Sequence, residues 1–119
     1  MPGPQITLTV PARPEFLRLV RLMMADAGSR VGLDYEEIDD LKIAASEACS
    51  LVLESPEPLT LIVTLDDAAV TIHGSAATKP RDDEFAQALI VAVVDDYEVS
   101  SDGDRSQFHL VKRHRARQV

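Results

Sequence analysis

The sequence predicts a single α+β domain, a two-layer α/β sandwich with helices on one face of a mostly antiparallel sheet. Three observations predict it. Short segments with the alternation or composition of strands occur at the start, middle and end of the chain, QITLTV being strictly alternating. Longer segments between them carry apolar residues at helical spacing. Most strand segments are also sequence neighbours, so they pair as hairpins rather than through crossovers. With 119 residues, 45% apolar and 27% charged, one core burying roughly two-thirds of the unfolded surface is expected. Disorder, repeats and low-complexity architecture are excluded.

The first strand is QITLTV, with Ile6, Leu8 and Val10 on one face and Gln5, Thr7 and Thr9 on the other. Pro11 and Pro14 end it. From Pro14, EFLRLVRLMMADAGSR forms a helix with a stripe of Phe16, Leu19, Val20 and Met23, and Arg18 and Arg21 lie off that stripe. Gly28 and Gly32 punctuate its end. Asp34 is an N-cap and Glu36 and Glu37 suit a first turn, so a second helix spans about Tyr35 to Glu54. Its core stripe is Ile38, Leu41, Ala45, Ala48 and Val52, flanked by Asp40, Glu47 and Glu54 at seven-residue intervals. Pro56 and Pro58 close it.

LTLIVTL and AVTIHG form a hairpin about Asp66 and Asp67, with Leu61, Val63 and Leu65 facing the same way as Val70 and Ile72. After the loop SAATKPRDD, DDEFAQALIVAVVDD starts with acids and places Phe85, Leu89, Ala92 and Val93 on one side of a third helix. LIVAVV alone also fits a buried strand, and Val91 and Val94 are left over for a neighbouring helix or another chain. YEVSSDGDRSQFHLVKR closes the domain as two strands about Ser101, Asp102, Gly103 and Asp104. The domain spans 1–119, with a core of about 5–112 and a basic, solvated tail over 113–119; Lys112, Arg113, His114, Arg115 and Arg117 form the basic cluster.

A net charge of −8 argues against a nucleic-acid surface and fits a basic protein partner. Cys49, the single cysteine, permits no internal disulfide and implies a reducing cytoplasm. No apolar run reaches the roughly 18 residues of a membrane span, and MPGPQITLTV lacks the regions of a signal peptide, so no membrane role is expected. His73, His109 and His114 show no metal-ligand spacing; alternate strand positions account for the first two. No metal site is expected.

The segment DDLKIAASEAC, residues 39–49, together with the order β α α β β α β β, resembles the anti-sigma factor and serine-protein kinase family of the GHKL ATPases, the RsbW-type switch kinases. The resemblance runs from Ile6 to Lys112. It implies a Bergerat-type (histidine-kinase-like) ATPase fold, homodimers, and reversible capture of a sigma factor countered by a STAS-domain anti-anti-sigma protein. It places Glu47 at the family's general base, which takes a proton from a protein serine during phosphoryl transfer. An arginine early in the first helix serves partner binding in the family, so Arg18 and Arg21 are the partner-binding candidates.

The departures from that pattern bear on chemistry. Leu51 stands where the family has its magnesium-binding asparagine, and the whole chain contains no asparagine. Gly74, Ser75 and Ala76 follow the third strand where the adenine-reading aspartate belongs. No glycine lies between Ser75 and Asp102, so the phosphate-closing lid is missing, and Asp82, Asp83 and Glu84 open the next helix with repelling charge. The expectation is therefore a degenerate member of the family, with no cofactor and Glu47 vestigial, reduced to a partly solvated helix carboxylate. The alternative is an ATP- and Mg-dependent serine/threonine kinase with Glu47 as base. A scaffold subunit paired with a catalytic homologue is a third reading.

Overall fold

The computed structural model describes residues 3–115. Its elements run β1 (Gln5–Val10), a 3-10 turn (Pro14–Phe16), α1 (Leu17–Arg30), α2 (Tyr35–Ser50), β2 (Leu59–Asp66), β3 (Ala69–Ala76), α3 (Glu84–Val93), β4 (Asp96–Asp102) and β5 (Arg105–Arg113). The strands form one sheet in the order β1-β2-β3-β5-β4, with every pairing antiparallel. The element order and the α+β class are those the sequence predicts.

Residues directly opposite in an antiparallel ladder share a face. Leu8 opposes Leu61, Val63 opposes Ile72 and Ile72 opposes Leu110, which assembles one apolar face. Leu61, Val63, Val70, Ile72 and Leu110 on it are fully buried, each contributing about 1.5–3 kcal/mol of burial free energy. Val20 and Met24 of α1, Leu41 and Ala45 of α2, and Ala86 and Ile90 of α3 join them in one core. Ala44, Ala45 and Ala48 give α2 a side small enough to pack closely. The opposite sheet face carries threonines with His73 directly across from His109, and it is only partly covered.

Two helix ends follow from local chemistry. Gly32 has φ 85°, and the N–H groups of Leu33 and Gly32 donate to the carbonyls of Gly28 and Ser29 at 3.0 and 3.3 Å, a Schellman stop for α1. Asp34 caps α2 through the N–H of Glu37, whose carboxylate reaches back to the N–H of Asp34, both at 2.9 Å.

Four sequence expectations are corrected. α2 ends at Ser50 rather than near Glu54; the carbonyls of Ser50 and Leu51, which a longer helix would turn to the N–H groups of Glu54 and Ser55, accept from the Arg81 guanidinium and N–H instead. Tighter three-residue bonds follow, and Glu54 leaves the register of Asp40 and Glu47. The buried stripe of α1 is Val20, Met24 and Ala27, while Leu19 is 44% exposed. In α3 the buried residues are Ala86 and Ile90, while Phe85 is 79% exposed, since a helix apolar nearly all round does not fix its own rotation. Lys112 and Arg113 belong to β5, and His114 and Arg115 dock onto α2 instead of forming a solvated tail; residues 116–119, with Arg117, lie outside the described residues.

Candidate functional site

Glu47 sits in the last turn of α2 and is half-buried. Among the described residues no group hydrogen-bonds its carboxylate. Four residues on, Leu51 caps the helix and is 3% exposed, so its side chain is part of the core rather than aimed at a ligand. Cys49 between them is fully buried, and burial pushes its thiol up to about 12. It is inert in the folded chain.

The loop between β3 and α3 is fastened over this helix end. The Arg81 N–H donates to the Leu51 carbonyl at 2.7 Å, and its guanidinium donates to the Ser50 carbonyl at 3.1 Å. The Ala77 N–H donates to the Ser55 hydroxyl at 3.0 Å, and the buried Ser106 hydroxyl donates to the Thr78 carbonyl at 2.6 Å. The loop thereby satisfies carbonyls that a helix C-terminus leaves unpaired. At its far end Asp83 caps α3 by accepting from the Ala86 N–H at 3.0 Å. That bond, aided by Arg81, holds the Asp83 carboxyl below its ordinary value against a smaller opposing effect of burial.

Gly74 lies on the apolar face directly opposite Phe108. A Cβ at position 74 would come within 2.3 Å of the Phe108 ring, so the ring rests on the bare backbone. Phe108 is 6% exposed and fills the sheet surface next to the start of the loop. Five surface concavities have none of Glu47, Leu51 or Gly74 among their lining residues. One of them, about 610 Å³, lies over His73, His109 and Glu98 on the opposite sheet face.

Arg18 is exposed and Arg21 half-buried on α1. Neither guanidinium is ion-paired among the described residues, and no hydrogen bond joins either to Glu47. The structure thus keeps the predicted base and the predicted partner arginines as separate features.

Sequence reasoning missed a second polar centre. Glu37 is 1% exposed and gathers the Asp34 N–H at 2.9 Å, His114 Nδ1 at 2.7 Å and the Arg115 N–H at 2.6 Å. Burial pushes its pKa upward, but these partners outweigh it and bring the carboxyl down to about 2. Asp34, Glu37 and His114 are the one group among the described residues with metal-ligand convergence. Their oxygens are already engaged by one another and by Arg115, whose guanidinium lies 3.5 Å from both Asp34 and Glu37. The capping-box glutamate followed, 77 residues on, by a basic pair after the last strand was the available signal. Its meaning needed the fold.

No protein-family model matches the chain. Among curated proteins it is similar to the serine-protein kinases RsbW of Bacillus pumilus and Bacillus subtilis, each 51% identical over 45 residues, 38% of this chain. The RsbW of Bacillus thuringiensis is 40% identical over 50 residues. The matched segment spans only 28% of the first two relatives' length. Among solved structures, the crystal structure of the RsbU and RsbW domains of a Mycobacterium tuberculosis protein matches with a TM-score of 0.78 and 19% identity, covering 93% of this chain and 32% of that one. The resemblance to RsbW read from the sequence is therefore present in named relatives, and the α+β fold with its five-stranded antiparallel sheet is shared with that RsbU–RsbW structure.

Proposed function

We propose that this chain is a regulatory binding protein of the anti-sigma type, holding a sigma factor, a STAS-domain anti-anti-sigma protein, or both, without using ATP. One observation carries the reading. The position of the family's magnesium ligand is Leu51, buried in the core, with the loop that follows β3 hydrogen-bonded directly to its backbone. A hydrocarbon side chain supplies no oxygen to a hard cation. Phe108 over Gly74 and the acidic opening of α3 act in the same direction, the first by filling space and the second by repelling phosphate.

Binding energy then comes from protein surfaces. Arg18, exposed on α1, and Arg21 beside it are the cationic contacts for a partner, next to the exposed Leu19 and Leu22. Two copies pair through β1, an open edge strand whose Ile6 is 37% exposed. The protein works in the cytoplasm, consistent with its single buried thiol.

The kinase reading rests on Glu47, whose carboxylate is uncommitted. Calorimetric titration with sigma factors and STAS-domain proteins of the same genome separates the two. The proposal expects at least one of them to bind without nucleotide, with affinity unchanged by millimolar MgATP and no phosphate appearing on the STAS protein. Binding that requires ATP, or serine phosphorylation abolished by Glu47→Gln, would establish the kinase instead.

A further inference from the structure

Between Asp82 and Asp104 the chain holds eight carboxylate residues and no lysine, arginine or histidine. Those eight negative charges equal the net charge of the whole protein, so the remainder, with 12 acidic and 12 basic residues, is neutral. The segment is α3 and β4 with the residues that flank them: Glu84, Asp96, Glu98 and Asp102 lie within the two elements, and Asp82, Asp83, Asp95 and Asp104 in the adjoining connections. The protein's charge imbalance is carried by this one stretch of sequence.

That stretch also ends the sheet. β4 pairs only with β5, and six of its seven residues are exposed. The two-residue turn Gly103–Asp104 closes on Asp102 opposite Arg105, a hydrogen-bonded pair in such hairpins. Alternation then turns the N–H and C=O groups of Ser101, Val99 and Tyr97 outward, towards an empty neighbouring position. Val99 on β4 is 40% exposed, and Phe85 and Val91 of the preceding helix α3 are 79% and 62% exposed. The carboxylates of Asp82, Glu84, Asp96, Glu98, Asp102 and Asp104 have no hydrogen-bond or ion-pair partner among the described residues.

We propose that the β4 edge and the outer side of α3 form a docking strip for a basic, extended segment of a partner protein, which adds to the sheet beside β4. Backbone groups supply the ladder, Val99 with the exposed α3 side chains supplies apolar contact, and the carboxylates select lysine and arginine. A second copy of this chain is the wrong occupant, because pairing β4 with β4 brings two such acidic units together. The strip lies apart from Glu47 and α1. It stands whichever partner those residues serve.

The test uses the full chain and a synthetic peptide of about nine residues alternating lysine with valine. Backbone amide NMR shifts and fluorescence anisotropy report binding. The expected result is saturable binding with shifts at residues 97–102 and along α3, weakened at least about tenfold between about 50 mM and 500 mM salt. The double variant Glu98→Lys, Asp102→Lys, at two exposed positions, weakens it about tenfold or more while leaving the circular dichroism spectrum unchanged. A peptide of the same charge with every backbone nitrogen methylated, and so without ladder donors, binds at least about tenfold less. No binding at about 1 mM peptide, equal binding of the methylated peptide, shifts confined to other elements, or a concentration-dependent homodimer protecting β4 would each overturn the proposal.

Discussion

Replacing Glu37 by glutamine tests how the end of the chain is tied to α2. The carboxylate is buried, with a pKa of about 2 against an ordinary 4.5. A depressed carboxylate pKa adds stability that is present above the unfolded value and lost as pH falls through the folded one. The drop to about 2 corresponds to about 3 kcal/mol at pH 7, to about half of that at pH 3, and to almost nothing at pH 2. Glu37→Gln keeps the shape and removes the charge, so it lowers stability by about 3 kcal/mol at pH 7, or Tm by about 10 °C. Urea unfolding followed by circular dichroism between pH 7 and the lowest pH at which the wild type stays folded measures the difference, which shrinks as pH falls. A loss below about 1 kcal/mol at pH 7, or a difference that does not change with pH, would mean that the Glu37 charge does not tie the end of the chain to α2.

Three further outcomes follow from the site. Leu51→Asn places an amide at a 3% exposed core position and destabilises by about 2–4 kcal/mol in urea unfolding, without MgATP-dependent stabilisation in a thermal shift assay. Gly74→Ala puts a methyl group within 2.3 Å of the Phe108 ring and costs about 1–3 kcal/mol, a loss that the double variant Gly74→Ala, Phe108→Leu partly restores in the same assay. Cys49, its thiol raised to about 12 by burial, resists iodoacetamide in the native chain and reacts once urea unfolds it, as mass spectrometry will register.

Strand positions were legible because side-chain alternation has a period of two and the turn residues mark its breaks. Leu61, Val63 and Ile72 all face the core as the pattern requires. Helix existence was legible too, from Asp34 and Glu37 at the start of α2 and Gly32 after α1. Helix rotation was less so. α3 offers apolar residues on every side, so only packing against α2 and the sheet selects Ala86 and Ile90 over Phe85. At the stop near Ser50 the helix's terminal carbonyl accepts from Arg81, 31 positions on, a pairing that hydrophobic spacing does not encode. At the site, Glu47 and Leu51 could be picked from the DLKIAASEACSL string. The docking of Arg81 on Leu51, Phe108 on Gly74 and His114 on Glu37 joins residues 30, 34 and 77 positions apart, and long-range pairings of this kind appear only in three dimensions.

If the proposed function is right, the residues around Glu47 bind no nucleotide. Titrating the isotopically labelled chain with MgATP, and separately with a non-hydrolysable analogue, reads it directly at the backbone amides. No saturable shift is expected at Glu47–Leu51, Gly74–Ala77 or Arg81–Asp83 up to several millimolar nucleotide. Saturable shifts at those residues, with half-saturation in the micromolar range, would contradict it.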